Sequence, residues 1–408
     1  MRAHLDSLVT SLLLLHIPAL AASAQPLAYV TNTNSGTVSV IDTAANTVAH
    51  TIPLPSGRFP QGIAITADNR FAYVTALGQS DTGTVVVIDL AQALSGASDA
   101  VVTTIPVGKG PDRIAIGPDG AAYVMNALWD TVSIIDTRAN AVTTTVRVGF
   151  GPSAIAFTAD GLYAFITIPS VGSVEVLNLQ NHKPIPTVLG VGSGAHDIAT
   201  SPDDVHAYVA NADSANVSVL NTRRRTVTGA IAIPGGASPQ DIALSPDGAS
   251  AYVTCVGPSP STAGTVAVLS LKQNLLTTTV PVGDGPEGIA VTPDGTFAYA
   301  VNSLSDSVSV IDLAADAVAT TIPVGVNPLS VAIARAAPPT AQTCVGDCDQ
   351  NGRVTVDELL LGIDIALGNA QLDACPELDP GGNGVVTLSE LLTAVNNALN
   401  GCASAQQR

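Results

Sequence analysis

Residues 27–66 read LAYVTNTNSGTVSVIDTAANTVAHTIPLPSGRFPQGIAIT, and the order of apolar residues within them decides the fold. Four runs stand out, LAYVTN (27–32), TVSVID (37–42), VAHTIP (48–53) and GIAIT (62–66), separated by Gly, Pro, Asn and Asp. Short runs punctuated in this way are antiparallel strands joined by tight turns. The unit then recurs. Ala-Tyr-Val returns around Tyr73, Tyr123, Tyr208 and Tyr252, with Ala164-Phe165-Ile166 and Ala298-Tyr299-Ala300 as variants, at spacings of 42 to 50 residues. Turns such as Pro246-Asp247-Gly248 and Pro293-Asp294-Gly295 recur with it.

A fixed period of this length marks a repeat architecture. Four strands per unit and seven units predict an all-β, seven-bladed β-propeller over residues 25–335. The chain enters on the second strand of blade one, so the last run, 329–334, is expected to supply that blade's innermost strand and tie the two ends of the ring together. The segments AYVTN (28–32), TVSVID (37–42), TTIPVG (320–325) and GPEGIAVTPDG (285–295) resemble the YVTN family of secreted β-propeller repeats.

Composition agrees with strands. The chain is 46% apolar but only 3% aromatic, so Val, Ile, Leu and Ala build the core. With 15 Lys and Arg against 33 Asp and Glu it offers no basic surface for phosphates, and nucleic acid is not an expected partner. Residues 8–21 are apolar but too short to span a bilayer and precede Ala22-Ser23-Ala24, so residues 1–24 read as a signal peptide. No later run is long enough to cross a membrane. A secreted, cell-surface or periplasmic bacterial protein is expected. Four of the five cysteines, Cys344, Cys348, Cys375 and Cys402, lie in the last 65 residues, which predicts two disulfides with three possible connectivities. Cys255, within AYVTCV, reads as a buried free thiol.

The start of each inner strand faces one mouth of the channel. Just before the inner Ile or Val come Asp112 and Arg113, His196 and Asp197, Asp241, and Glu287. Carboxylates, an imidazole and a guanidinium brought together there could bind a small ligand or a cation, or act as acid and base on an ester or lactone. They could equally be a polar rim that solvates turns. No GxSxG elbow, HExxH, P-loop or Rossmann glycine pattern is present. Trp129, the single Trp, reads as the cover of a blade edge, and Arg223-Arg224-Arg225 as a solvated turn.

Residues 336–343 form a linker, and 344–402 change character, leaving 403–408 as a short tail. DCDQNGRVTVDE (347–358) has the order of a calcium loop: Asp347, Asp349 and Asn351 as oxygen ligands, Gly352 at the sharp turn, Arg353 through its carbonyl and Glu358 as the closing carboxylate. Asp379, Asn383, Val385 through its carbonyl, and Glu390 repeat the pattern, with Gly381 in place of an oxygen ligand. Calcium is therefore the expected cofactor. Apolar stripes follow each loop, at Val356, Leu359, Leu360, Ile363 and Leu367 and at Leu388, Leu391, Leu392, Val395 and Leu399, and are expected to bury against each other as two helices. The duplication resembles the dockerin modules of secreted bacterial proteins, which implies calcium binding and a cohesin-like partner.

These features predict an exported, non-catalytic binding or scaffold propeller for a protein or small-molecule ligand, with a calcium-bound module for attachment. The alternative is a secreted hydrolase, lactonase-like or acting on polysaccharide, with its site at the acidic mouth. A surface-layer component is a third reading.

Overall fold

The computed structural model describes residues 26–78, 83–94, 100–235, 237–258, 263–334, 345–348, 354–372, 375–379 and 385–400. Seven four-stranded antiparallel sheets form the blades of a propeller. The innermost strands are Pro328–Ala334 for blade one, then Phe59–Ile65, Pro111–Ile116, Ile155–Phe157, Ala195–Thr200, Ser238–Leu244 and Pro286–Val291 for blades two to seven. The closure expected from the sequence is present: Leu27–Asn32 pairs on one side with Thr37–Asp42 and on the other with Pro328–Ala334, so both ends of the ring share blade one. The leader assigned to 1–24 lies outside the described residues.

Each repeated residue has a packing reason. The second and third strands of every blade are sandwiched between neighbouring blades, and Ala28, Val30, Val38, Val40 and their counterparts are fully buried. The outer strand alternates between exposed and half-buried positions, as a strand with one wet face does. The Tyr side chain reaches the next blade: Tyr73 donates to Asn140 Oδ1 at 2.6 Å and Tyr299 to Asn46 Oδ1 at 2.7 Å. Both asparagines sit at φ near +50°, the left-handed turn position that Asn tolerates. The Asn that ends YVTN works inside its own blade, with Asn32 Nδ2 donating to Thr37 and Ser39, Asn126 to Thr131 and Ser133, and Asn302 to Ser307 and Ser309.

The long spacing between Tyr73 and Tyr123 is explained by helix α1 (Leu90–Leu94), which follows the third strand of blade two and buries Leu90 and Ala93. Beyond the ring, helices α2 (Val356–Ala366) and α3 (Leu388–Asn400) confirm the helical character of the tail. Their expected mutual burial is corrected. The small core there consists of Ile365, Cys375, Leu378, Val386 and Ala394, with Leu359 and Leu391 packed on it. Val356, Leu360, Ile363 and Leu367, and Leu388, Leu392 and Val395, face solvent. Both helices are apolar on more than one face, so the stripe read from spacing splits between core and surface. Cys348 and Cys375 form a disulfide; Cys344 and Cys402 lie outside the described residues. Among the described residues, no helix is long and apolar enough to cross a membrane.

Candidate active site at the channel mouth

The inner strands are irregular where the site residues lie. Pairing shifts register between Pro111 and Ile114, between Ala195 and Asp197, between Pro239 and Ile242, and between Pro286 and Ile289, so two residues face one on the partner strand. Such bulges re-aim side chains. Here they present Asp112, Arg113, His196, Asp197, Asp241 and Glu287 at the beginning of the inner strands.

A threonine ring fixes that backbone. In blades one, two, four and six the Thr of the YVT run accepts from an inner-strand N–H of its own blade and donates to an inner-strand carbonyl of the next. Thr167 takes the N–H of Ala154 at 2.9 Å and gives to the carbonyl of His196 at 3.1 Å. Thr254 takes the N–H of Asp241 at 3.0 Å and gives to the carbonyl of Glu287. Thr75 does the same between Gly62 and Asp112, and Thr31 between Ser330 and Gln61. These fully buried hydroxyls position the site and were missed in the sequence, where the recurrent Thr reads only as a strand former.

The ring is not symmetric. A methyl group at Gly62 would meet the carbonyl of Asp112 at 2.8 Å, and one at Gly288 the carbonyl of Leu329 at 2.8 Å, so blades two and seven have no room for a side chain there. Blades three, five and six fill the same position with Arg113, Asp197 and Asp241. Arg113 Nη1 lies 3.1 Å from Asp241 and 3.4 Å from Asp197. Each Asp also reaches one blade further: Asp197 accepts from Ile242 N–H, and Asp241 from Ile289 N–H, both at 3.1 Å.

Electrostatics divide these groups into roles. Burial opposes the charge of Arg113, but Asp241, Asp197 and Asp112 outweigh it and raise its pKa. Asp197 and Asp241 are hydrogen-bonded to each other. Burial and the Asp241 charge push Asp197 well up, whereas Arg113 and the Asp197 hydrogen bond overcome burial and hold Asp241 down. Burial beside a like charge thus favours the neutral form of Asp197, while Arg113 favours the charged form of Asp241. Burial, then Arg113, lowers His196, whose Nδ1 lies 2.9 Å from the carbonyl of Gln240. A neutral ring donating through Nδ1 presents Nε2 as an acceptor. Burial, with smaller contributions from Asp241 and Asp112 against Arg113, lifts Glu287 to about 7.

A cavity of about 180 Å³ opens on this cluster, bordered by residues of all seven blades, among them Arg113, Ala154, Asp197, Asp241 and Ser330. Of the six mouth residues Arg113, Asp197 and Asp241 border the cavity and form a charge network, while Asp112, His196 and Glu287 do not line it and lie within electrostatic reach of that network. Cys255 is buried and free as expected, its thiol pushed up to about 12 by burial, which makes it a poor nucleophile.

Neither a protein-family model nor a curated protein sequence matches the chain. Solved structures do. A putative 6-phosphogluconolactonase from Bacteroides fragilis superposes with a TM-score of 0.64 at 16% identity, covering 77% of this chain and 99% of its own. The periplasmic gluconolactonase of Pseudomonas aeruginosa gives 0.64 at 18% identity, covering 76% and 99%. Hydrazine synthase of Kuenenia stuttgartiensis gives 0.60 at 19%, covering 68% and 96%. At these identities the likeness is one of fold, and the propeller is shared by proteins of unlike chemistry.

The tail residues are placed in part. Asp347, Glu358 and Asp379 are buried and Val385 is exposed, while Asp349, Asn351, Arg353 and Asn383 lie outside the described residues. Glu358 Oε2 accepts from the N–H of Thr355 at 2.7 Å and its hydroxyl at 2.8 Å, and Oε1 accepts from Cys348 N–H at 2.8 Å. Glu390 and Thr387 repeat the first two contacts. Thr-x-x-Glu is a capping box at both helix starts, so the Glu at the twelfth loop position has a structural role besides any ligation. Trp129 is 55% exposed and covers little of a blade edge, contrary to expectation. Arg225 leaves its solvated turn and stacks on Tyr163, 4.3 Å from the ring centroid.

Proposed function

We propose that the chain is a hydrolase of small lactones acting at the channel mouth outside the cytoplasm. The observation that carries this reading is Glu287, a carboxyl that burial lifts to about 7 within electrostatic reach of Arg113, at the start of the inner strand whose Ile289 borders, with Arg113, a cavity the size of one small polar ring. Ring opening by water needs a base for the water proton, a donor for the carbonyl oxygen and an acid for the departing alkoxide. Glu287 takes the proton as water adds to the carbonyl carbon, Arg113 donates to the developing oxyanion, and the Glu287 proton returns to the ring oxygen as the C–O bond breaks, leaving a hydroxy acid. His196 Nε2 accepts from a substrate hydroxyl and orients the ring. Lactonase names among the fold's neighbours, one of them periplasmic, and the Cys348–Cys375 disulfide support both parts of the reading.

The tail is proposed to bind calcium and to serve attachment to a cohesin-like or other extracellular protein. Asp347 and Glu358 supply hard oxygens of the kind calcium takes, and calcium would tie the loop to the start of α2. The exposed stripes Val356, Leu360 and Ile363, and Leu388, Leu392 and Val395, supply apolar area for such a contact.

The deciding experiment is acid release from a panel of five- and six-membered lactones by the full chain. Turnover that falls by about 10²-fold or more in Glu287→Gln, with unchanged circular dichroism, is expected. Turnover at the rate of buffer alone, or an unaffected variant, would overturn the assignment.

A further inference from the structure

The repeats act as their own control, and among the described rim loops those of blades three and four carry aromatic residues where those of blades one, five and seven do not. The turn after the second strand carries Ser35, Ser214 and Ser305 in blades one, five and seven, where each hydroxyl accepts a backbone N–H of the neighbouring loop: Val326 at 2.7 Å, Ser193 at 2.7 Å and Asp284 at 2.8 Å. Blade three has Trp129 at that place and forgoes the bond. The loop that leads to the inner strand carries Lys109, Ser193 and Asp284 ahead of blades three, five and seven and Val326 ahead of blade one, but the aromatic Phe150 ahead of blade four; Leu304 of blade seven, the counterpart of Leu128, is exposed as well, so the aromatic rings are what set blades three and four apart. Trp129 is 55% and Phe150 67% exposed, with Leu128 and Val171 beside them at 63% and 64%. Giving up a repeated polar contact to expose aromatic rings is a break in local rules of the kind that marks function.

The patch is one surface, and its Phe150 loop leads into an inner strand that borders the cavity. Gly151 N–H donates to Asp130 Oδ1 at 3.0 Å, and Ser170 Oγ to the carbonyl of Phe150 at 2.7 Å, which locks the three loops together. Leu128 N–H donates to the carbonyl of Lys109 at 3.2 Å, three residues before Asp112, and a methyl at Gly110 would strike the Leu128 side chain at 2.5 Å. Phe150 itself lies four residues before Ala154, which borders the cavity. A pocket of about 180 Å³ is smaller than the ~300 Å³ at which ordinary ligand sites begin, so any substituent on a ring held there must leave through the mouth.

We infer that Trp129 and Phe150, with Leu128 and Val171, form an acyl- or aryl-binding subsite, and that the preferred lactones carry an apolar chain that lies across blades three and four. This rests on the lactonase reading for its substrate class, but the subsite can be read without turnover. Trp129 is the only Trp in the chain, so its emission reports the patch directly.

The test titrates the full chain with non-hydrolysable lactams whose alkyl chains grow from two to eight carbons, and separately measures KM for the matching lactones. A saturable blue shift of Trp129 emission is expected, with affinity rising about twofold or more per added methylene, up to the roughly fourfold of complete burial. Phe150→Ser should flatten that dependence while leaving hydrolysis of unsubstituted lactones unchanged. Trp129→Ser, which installs the residue of blades one, five and seven, should flatten the KM series in the same way. Chain-length-independent binding with unmoved emission overturns the subsite even if lactones are hydrolysed. A chain-dependent shift without any hydrolysis retains the subsite and sinks only the lactonase reading. An alkyl alcohol binding as well as the lactam would show a patch that serves something other than the cavity, and would overturn the inference too.

Discussion

Arg113 on the inner strand of blade three stands 3.1 Å from Asp241 on that of blade six. The contact braces non-adjacent blades across the channel with both side chains largely buried. Removing one member of a buried charge network leaves the others uncompensated, at a cost of about 3–5 kcal/mol. Arg113→Met should therefore lower the stability of the ring by about that amount in urea denaturation at pH 7. Asp241 has a depressed pKa in the folded state, so its contribution is present above its unfolded value and lost as pH falls through the folded one. The gap between wild type and variant should accordingly narrow at acid pH; a loss below about 1 kcal/mol at pH 7 would refute the brace.

Glu287 behaves in the opposite sense. Its pKa rises from 4.5 to about 7 on folding, so the folded chain holds a proton that the unfolded chain has already released. Stability falls as pH rises through that window, by about 3 kcal/mol in all for a shift of this size. Glu287→Gln should match wild type near pH 4 and exceed it above pH 8. As the base in ring opening, the same group should give kcat/KM a rising limb centred near pH 7. Parallel pH–stability curves for the two proteins would contradict the burial argument.

The propeller, its seven blades and its closure were legible because the unit is copied: Tyr29, Tyr73, Tyr123, Tyr208, Tyr252 and Tyr299 recur where the core requires them. The six mouth residues were legible too, since the inner Ile or Val fixes their place in each blade. What those residues do to one another was not. The opposed pKa shifts of Asp197 and Asp241, and the reach of Arg113 across the channel, depend on which blades face each other, and spacing along the chain carries no such information. The Thr relay was hidden because Thr is also a good strand residue. In the tail, Glu358 satisfies a calcium pattern and, with Thr355, a capping box at once, so the same letter serves two physical ends, and helices α2 and α3 are too evenly apolar for spacing to say which face is buried.

The double role of Glu358 gives the tail a test that separates capping from ligation. Calorimetry of the chelator-treated chain should show two calcium-binding events, the weaker one reporting the loop with Gly381. Glu358→Gln keeps an acceptor for the Thr355 N–H and should abolish the stronger event at little cost to the helix. Glu358→Ala should lose the event and also about 1 kcal/mol of helix stability. Chelation should loosen α2 and α3 and leave the propeller's unfolding transition in place. An absence of calcium heat in wild type would leave the carboxylates as caps alone.

Closure depends on a contact the repeat makes four times. A methyl at Gly325 would sit 2.6 Å from Asn32 Cγ, and the same clash recurs between Gly108 and Asn126, Gly192 and Asn211, and Gly283 and Asn302. Each Asn is fully buried and anchored to its own third strand, so it cannot yield. Overpacking of this kind costs about 1–3 kcal/mol. Gly283→Ala and Gly325→Ala should therefore be similarly destabilised in bulk denaturation. Their positions differ, however. Gly283 lies between blades six and seven, joined by continuous chain, whereas Gly325 leads into Pro328–Ala334, which is held to Leu27–Asn32 by strand pairing and the Thr31–Ser330 contact with no covalent link. Strain at Gly325 can be relieved by peeling that strand away, an opening that covalent continuity denies to Gly283. Hydrogen exchange in 328–334 and 27–32 should accelerate in Gly325→Ala and stay protected in Gly283→Ala; equal protection in the two variants would mean that the seam is no weaker than any other blade junction.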